Sequence, residues 1–306
     1  MLSGPENPFR MNTRMIETPK NSRPVPYPVA FALHLRSLLT DVAHKLIRRR
    51  RRTRAQVQAD YDKGEWRDVM NARYWDKVGD LETYVFTDQE RQMAAQVDGR
   101  LRYIAQRDYY RYRTSQLNGL LAEFDLQAPR LVEVGCGAGR NLFCAAASGR
   151  WKEIRGLDLS PTGIEIVKTV ASRFGLPEVS AGPIDLLDPK SPGFDEIRDQ
   201  VCFTYHCLEQ LPAHTGSVLR NLADASPRRV IHIEPTRELF SLASLKDWAS
   251  ISYLWRQNYL ADLVTSARRL EREGVLRVIA IRRLEFAPTL RNSPTLLVWE
   301  PVRRES

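Results

Sequence analysis

The chain has 306 residues, 46 Lys and Arg against 37 Asp and Glu, and a net charge of +9. That length is ample for a buried core without disulfide or metal staples, and no run approaches the roughly 18–20 apolar residues of a membrane span. The four cysteines, at 136, 144, 202 and 207, form no C-x-x-C pair, so neither a disulfide framework nor a zinc site is expected. The first fifteen residues lack the apolar block of a secretory signal, and a cytoplasmic location is the expectation.

Residues 1–28 are rich in Pro, Asn, Ser and Arg and read as a disordered or extended leader. Residues 29–47 carry Phe31, Leu35, Leu38, Leu39, Val42, Leu46 and Ile47 near helical spacing. A basic run follows, Arg48 to Arg52 and Arg54, which supplies six of the nine net charges. It fits a solvated linker, a contact with nucleic acid or a peripheral anchor on an anionic membrane surface, and the sequence leaves these open. Residues 55–125 read as further helices, unusually aromatic, so 29–125 is expected to form a helical cap.

From Arg130 the texture changes to short apolar runs alternating with helical patterns, the mark of a parallel α/β sheet. The expected strands are Leu131–Val134, Glu153–Leu157, Val179–Ile184, Val201–Tyr205, Arg229–Ile233, Arg277–Phe286 and Thr295–Val302. A short turn through Pro288 to Ser293 makes the last two an antiparallel hairpin. The second domain is therefore 126–306, with an insertion at 236–275 before the last pair of strands.

The informative segment is Leu131-Val-Glu133-Val-Gly135-Cys136-Gly137-Ala-Gly139-Arg140. A strand enters three glycines at alternate positions and then a helix whose first N–H groups are unpaired. Position 140 is Arg, where a dinucleotide fingerprint has glycine, and no Gly-Lys-Ser/Thr follows, as a P-loop requires. Glu133 would repel phosphates beside the loop and favours a ligand bearing a cationic amine. Asp158, nineteen residues beyond Gly139, ends the next strand, where a carboxylate accepts bonds from both hydroxyls of a ribose. Asp185 ends the third strand and is placed to take an exocyclic adenine amine.

Together with the block Phe203-Thr-Tyr205-His206-Cys-Leu-Glu209-Gln-Leu-Pro212, this pattern resembles the class I S-adenosylmethionine (SAM)-dependent methyltransferases over residues ~125–306. The resemblance implies an α/β fold, a seven-stranded, mostly parallel sheet of order 3-2-1-4-5-7-6 flanked by helices. It implies SAM as cofactor, S-adenosylhomocysteine as product, and transfer of methyl to an oxygen or nitrogen. Carried over by position, Glu133, Gly135, Cys136, Gly137 and Gly139 face the methionine part, with Tyr205 on the same rim. Asp158 holds the ribose, Leu159 lies beside adenine, and Asp185 and Leu186 bind its edge.

His206 follows the fourth strand where acceptor and methyl would meet, and imidazole takes a proton at neutral pH. Glu209 is placed to orient it, and Glu234 ends the fifth strand at the same rim. Tyr74-Trp75 resembles the aromatic lead-in helix that closes over SAM in small-molecule methyltransferases. Trp255 and Tyr259 lie in the insertion, which is expected to shape the acceptor pocket. These aromatics favour a small molecule, such as a sugar or natural-product intermediate. An RNA or protein methyltransferase using the basic run, or a SAM-binding scaffold without turnover, stands as the alternative.

Overall fold

The computed structural model describes residues 18–47, 59, 64–86, 91–124, 130–147, 149–211 and 213–303. The basic run 48–54 lies outside the described residues.

The larger sheet is built from β4 (Arg130–Val134), β5 (Glu153–Asp158), β6 (Val179–Pro183), β7 (Val201–Tyr205), β8 (Arg229–Glu234), β9 (Leu276–Arg283) and β10 (Thr295–Pro301). Its order is β6-β5-β4-β7-β8-β10-β9, which is the expected 3-2-1-4-5-7-6. β4 to β8 run parallel. β10 runs antiparallel between β8 and β9, with a register shift at Val298/Trp299. The apolar runs in β4, β7, β8 and β10 are buried on both faces, as expected when helices cover both sides of a sheet. The flanking helices are α5 (Arg140–Ala147), α6 (Pro161–Arg173), α7 (Gly193–Ile197), α8 (Thr215–Asp224) and α10 (Leu263–Arg272). Two apolar cores result. One holds Leu131, Phe143, Ile154, Val167 and Phe203. The other holds Val132, Leu157, Cys202, Leu219, Leu270 and Trp299.

The N-terminal third is not wholly helical. Beside helices α1 (Tyr27–Ile47), α2 (Trp66–Ala72), α3 (Leu81–Phe86) and α4 (Gln106–Phe124) it holds a hairpin, β2 (Gln92–Val97) and β3 (Arg100–Ala105), on which α4 packs. Its turn is Asp98-Gly99, with φ of +49° and +74°, the left-handed pair that a two-residue hairpin turn needs. The end of the expected leader is also ordered. Arg23–Pro24 forms β1, paired antiparallel with β3 at Tyr103 and Arg102. The hairpin is tied to the β9–β10 connection: Gln96 and Ala287 exchange backbone bonds, and Gln96 Nε2 donates to Leu290 O at 2.8 Å.

The insertion at 236–275 divides in two. Helix α9 (Leu245–Gln257) packs along α1, whereas α10 packs against α8 and β9 as an ordinary sheet helix.

Candidate active site

The carboxyl ends of β4, β5, β7 and β8 share one edge of the sheet, and chain order reverses between β4 and β7. In an open α/β sheet this is the crevice where ligands bind.

The glycine loop closes the end of β4. The N–H groups of Gly135 and Cys136 both donate to Leu157 O, at 2.7 and 3.2 Å. Gly135 has φ +78°, and a Cβ there would stand 2.1 Å from Cys207 Sγ. Any side chain would therefore push apart the loops after β4 and β7. Gly137 has φ +51°, and its Cβ would meet the Trp66 indole at 2.6 Å. Trp66, at the start of α2, thus lies directly on the loop. Gly139 packs against Val167 and Phe143. Cys136 is buried, and burial raises its thiol well above the usual range, so it is an inert packing group.

Glu133 is 1% exposed. Its Oε1 accepts from Asn141 Nδ2 at 2.7 Å, while Oε2 has no partner among the described residues. Burial pushes its carboxyl up to about 8, against the Asn141 bond and the positive charge of Arg113, with Asp158 and Glu234 adding to the rise. Arg113, on α4, donates to Asn141 Oδ1 and stacks over Tyr205 with 4.7 Å to the ring centroid. Asn141 and Arg113 are site residues that the sequence reading missed. Neither belongs to a motif, and nothing local marks a residue 20 positions before Glu133 or eight after it.

Asp158 is half-buried and accepts from Gly137 N–H at 2.7 Å through Oδ2 and from Ser160 N–H at 2.8 Å through Oδ1. A carboxylate offers about four acceptor positions, which suits a group shared between the loop backbone and a ribose. Leu159 beside it is half-buried. Asp185 forms a local turn, accepting from Leu187 N–H at 3.0 Å. Leu186 is different: its side chain is buried in the second core and its carbonyl accepts from Asn221. It therefore presents no side chain to a ligand.

Tyr205, His206, Glu209 and Glu234 gather at the ends of β7 and β8. His206 has φ +55°, a conformation that a non-glycine residue holds only where its surroundings enforce it. Its N–H donates to Ile233 O at 3.1 Å, and its ring lies 4.8 Å from that of Tyr205. Nδ1 is 3.3 Å from Glu209 Oε2 and 3.3 Å from Asn292 Nδ2. A bond donated by Asn292 Nδ2 needs Nδ1 as its acceptor, whereas a proton on Nδ1 would face Glu209, so the tautomer decides which ring nitrogen is the acceptor. Asn292, in the β9–β10 connection, was missed because that connection is distant in sequence. Glu234 is wholly buried. Its Oε1 accepts from Cys207 N–H at 3.0 Å, and burial pushes its carboxyl up to about 7, opposed by His206 and raised by Glu209. It holds the backbone after His206 and does not reach the surface.

The remaining expected residues lie apart from this crevice. Trp75 is 1% exposed and belongs to the main core, so a substrate-contact role for it is corrected to packing. Tyr74 stacks on Tyr84, centroids 6.3 Å apart. Trp255 and Tyr259 line a cleft of about 550 Å³ between α1 and α9, with Lys45, Leu46, Arg237 and Leu254. Arg237 stands three residues beyond Glu234 in the chain. No His/Cys/Asp/Glu group among the described residues suits a metal ion.

No protein-family model matches the chain. No curated protein matches it. Solved structures do. The [4+2]-cyclase SpnF is 14% identical, over 73% of this chain and 93% of that one, with a TM-score of 0.50. Magnesium protoporphyrin IX methyltransferase from Synechocystis PCC 6803, with bound SAH, is 14% identical over 78% of this chain and 100% of that one, TM-score 0.49. Geranyl diphosphate C-methyltransferase from Streptomyces coelicolor A3(2) is 13% identical over 78% and 97%, TM-score 0.48. The chain has the class I SAM-dependent methyltransferase fold.

Proposed function

We propose that the protein is a SAM-dependent methyltransferase that moves a methyl group to an oxygen or nitrogen of a small molecule. The observation that carries this reading is Glu133: a buried carboxyl with one oxygen unpartnered, at the end of β4 beside a glycine loop. A buried carboxylate without a donor is costly, and an ammonium supplies both the charge and the donors. The residues present fit SAM. Glu133 would hold its amine, the loop backbone would line its methionine part, and Asp158 would accept from its ribose. When bound, the cofactor supplies an already activated methyl group.

The chain's own work is alignment and proton removal. His206 takes the proton of an acceptor hydroxyl, with Glu209 and Asn292 both beside its Nδ1. Glu234 and the Ile233 carbonyl hold the backbone that carries His206.

Calorimetric titration of SAM and S-adenosylhomocysteine into the full chain tests the cofactor. Saturable binding that Glu133→Gln and Asp158→Asn weaken supports the reading, and no binding to a folded protein overturns it. Incubation with methyl-labelled SAM and an acceptor panel then tests turnover. A second reading keeps the cofactor and drops methyl transfer, because the SpnF match carries the name of a cyclase. Tight SAM binding with no labelled product across the panel would favour it.

A further inference from the structure

Helix α1 is turned with its apolar side outward. Tyr27, Phe31, Leu35, Leu39, Val42 and Leu46 follow one another at three- and four-residue steps, and so share a face. All six are exposed, with Tyr27 80%, Leu39 61% and Leu46 68% accessible. With Val29, this one helix carries seven of the twelve exposed large hydrophobic residues described. The buried side chains of α1 among those described are polar instead: His34 and Asp41.

The orientation is locked. Asp41 is 1% exposed, forms an ion pair with Arg256 at 2.7 Å and accepts from Arg291 Nη1 at 2.6 Å. Rotating α1 to hide its leucines would bring Asp41 out and leave two arginines facing a leucine. The surface beside α1 continues the pattern. Trp248 and Trp255, seven residues apart on α9, are both partly exposed, and Lys45 of α1 lies over the Trp255 ring at 5.3 Å.

We propose that this face docks the protein on an anionic lipid surface, with α1 lying in the plane of the headgroups. Two observations select lipid over a second copy of the chain. An apolar stripe flanked by tryptophans is the composition of interfacial helices. The sequence following Ile47 has arginine at 48–52 and 54. That charge attracts anionic headgroups and disfavours close approach of a second, equally basic chain. No described helix is long and apolar enough to cross a membrane, so α1 lies on the bilayer. Its C-terminal residues Lys45 and Leu46 border the cleft that holds Trp255 and Tyr259, so docking sets the mouth of that cleft against the lipid.

The test is flotation of the full chain with vesicles of phosphatidylcholine alone or with about a third phosphatidylglycerol. Wild-type protein should float with the anionic vesicles and lose most of that binding with the neutral ones. The double variant Leu39→Glu/Leu46→Glu changes only exposed side chains, and circular dichroism checks its fold. It should lower the partition coefficient roughly tenfold or more. Replacing Arg48 to Arg52 with Gln should also weaken binding and make what remains less dependent on the anionic fraction. Failure of the wild type to float with anionic vesicles overturns the proposal. So does flotation that the double variant leaves unchanged, since charge alone would then explain it. A dimer by analytical ultracentrifugation that the double variant splits overturns it in favour of a second copy on this face.

Discussion

Binding of SAM should release a proton from Glu133. Burial holds this carboxyl at about 8 in the free protein, so at pH 7 about nine-tenths of it is protonated. An ammonium brought to Oε2 favours the carboxylate and pulls the value down. At pH 7 the proton must then leave, and net release should be about 0.8 per ligand after allowing for roughly 0.1 taken up by the ligand's own amine. Between pH 6 and 7 the affinity should rise by close to tenfold, about 1.4 kcal/mol. The assay is calorimetry at pH 7 in buffers of different ionisation enthalpy, whose slope against observed enthalpy gives the proton count. Glu133→Gln cannot ionise, keeps an oxygen for Asn141, and should lose most of the release along with the pH slope. Equal release from wild type and variant would assign the proton elsewhere, with Glu234 first in line, and refute the argument. Stability runs with the opposite sign. A folded value raised from 4.5 to about 8 means that the stabilisation is full below 4.5 and is lost as pH rises through 8. The variant should therefore gain on wild type between those limits, by on the order of 3 kcal/mol at pH 7.

Asp41→Asn should destabilise the chain by about 3 kcal/mol in urea unfolding, because Arg256 and Arg291 lose a shared buried counter-charge. Gly137→Ala should cost about 1–2 kcal/mol, from its positive φ and its approach to Trp66; adding Trp66→Ala should return the steric part only. Asn292→Ala should lower turnover about tenfold while leaving the SAM dissociation constant unchanged, since it touches His206 and not the glycine loop. A matching loss of SAM affinity would mean that the variant disturbs the whole rim.

The sheet was legible because each strand is an apolar run, closed by a polar end or a turn. Leu131–Val134 and Val201–Tyr205 differ from the structure by at most a residue. The hairpin β2–β3 was not read, although Asp98-Gly99 is its signal. The strands around that turn, Gln-Met-Ala-Ala-Gln-Val and Arg-Leu-Arg-Tyr-Ile-Ala, are rich in residues that also suit helices. Glu133 and Asp158 were legible because a glycine loop fixes their spacing. Asn141, Arg113 and Asn292 were not, because their roles come from side chains meeting across separate elements. Helix α1 shows a further limit. Its spacing gives the helix and the shared face of its leucines, but periodicity does not say whether that face is inward. Asp41 decides, through two arginines more than 200 residues away.

The β9–β10 connection joins these parts into one mechanical unit. Gln96 of the hairpin bonds Leu290 O and accepts from Ser293 Oγ, Asp41 of α1 holds Arg291, and Asn292 lies against His206. Four consecutive residues, 290 to 293, are thus fixed by the N-terminal segment on one side and reach the candidate base on the other. Asn292 has φ +71°, which a short connection maintains only while its flanks are held. The N-terminal segment is therefore part of the site's support as well as its cover. A load on α1, whether from a docked surface or from loss of Asp41, acts on Arg291 and reaches His206 one residue later. The apolar face that would meet lipid and the imidazole that would take the proton are separated by a single ion pair and one peptide unit.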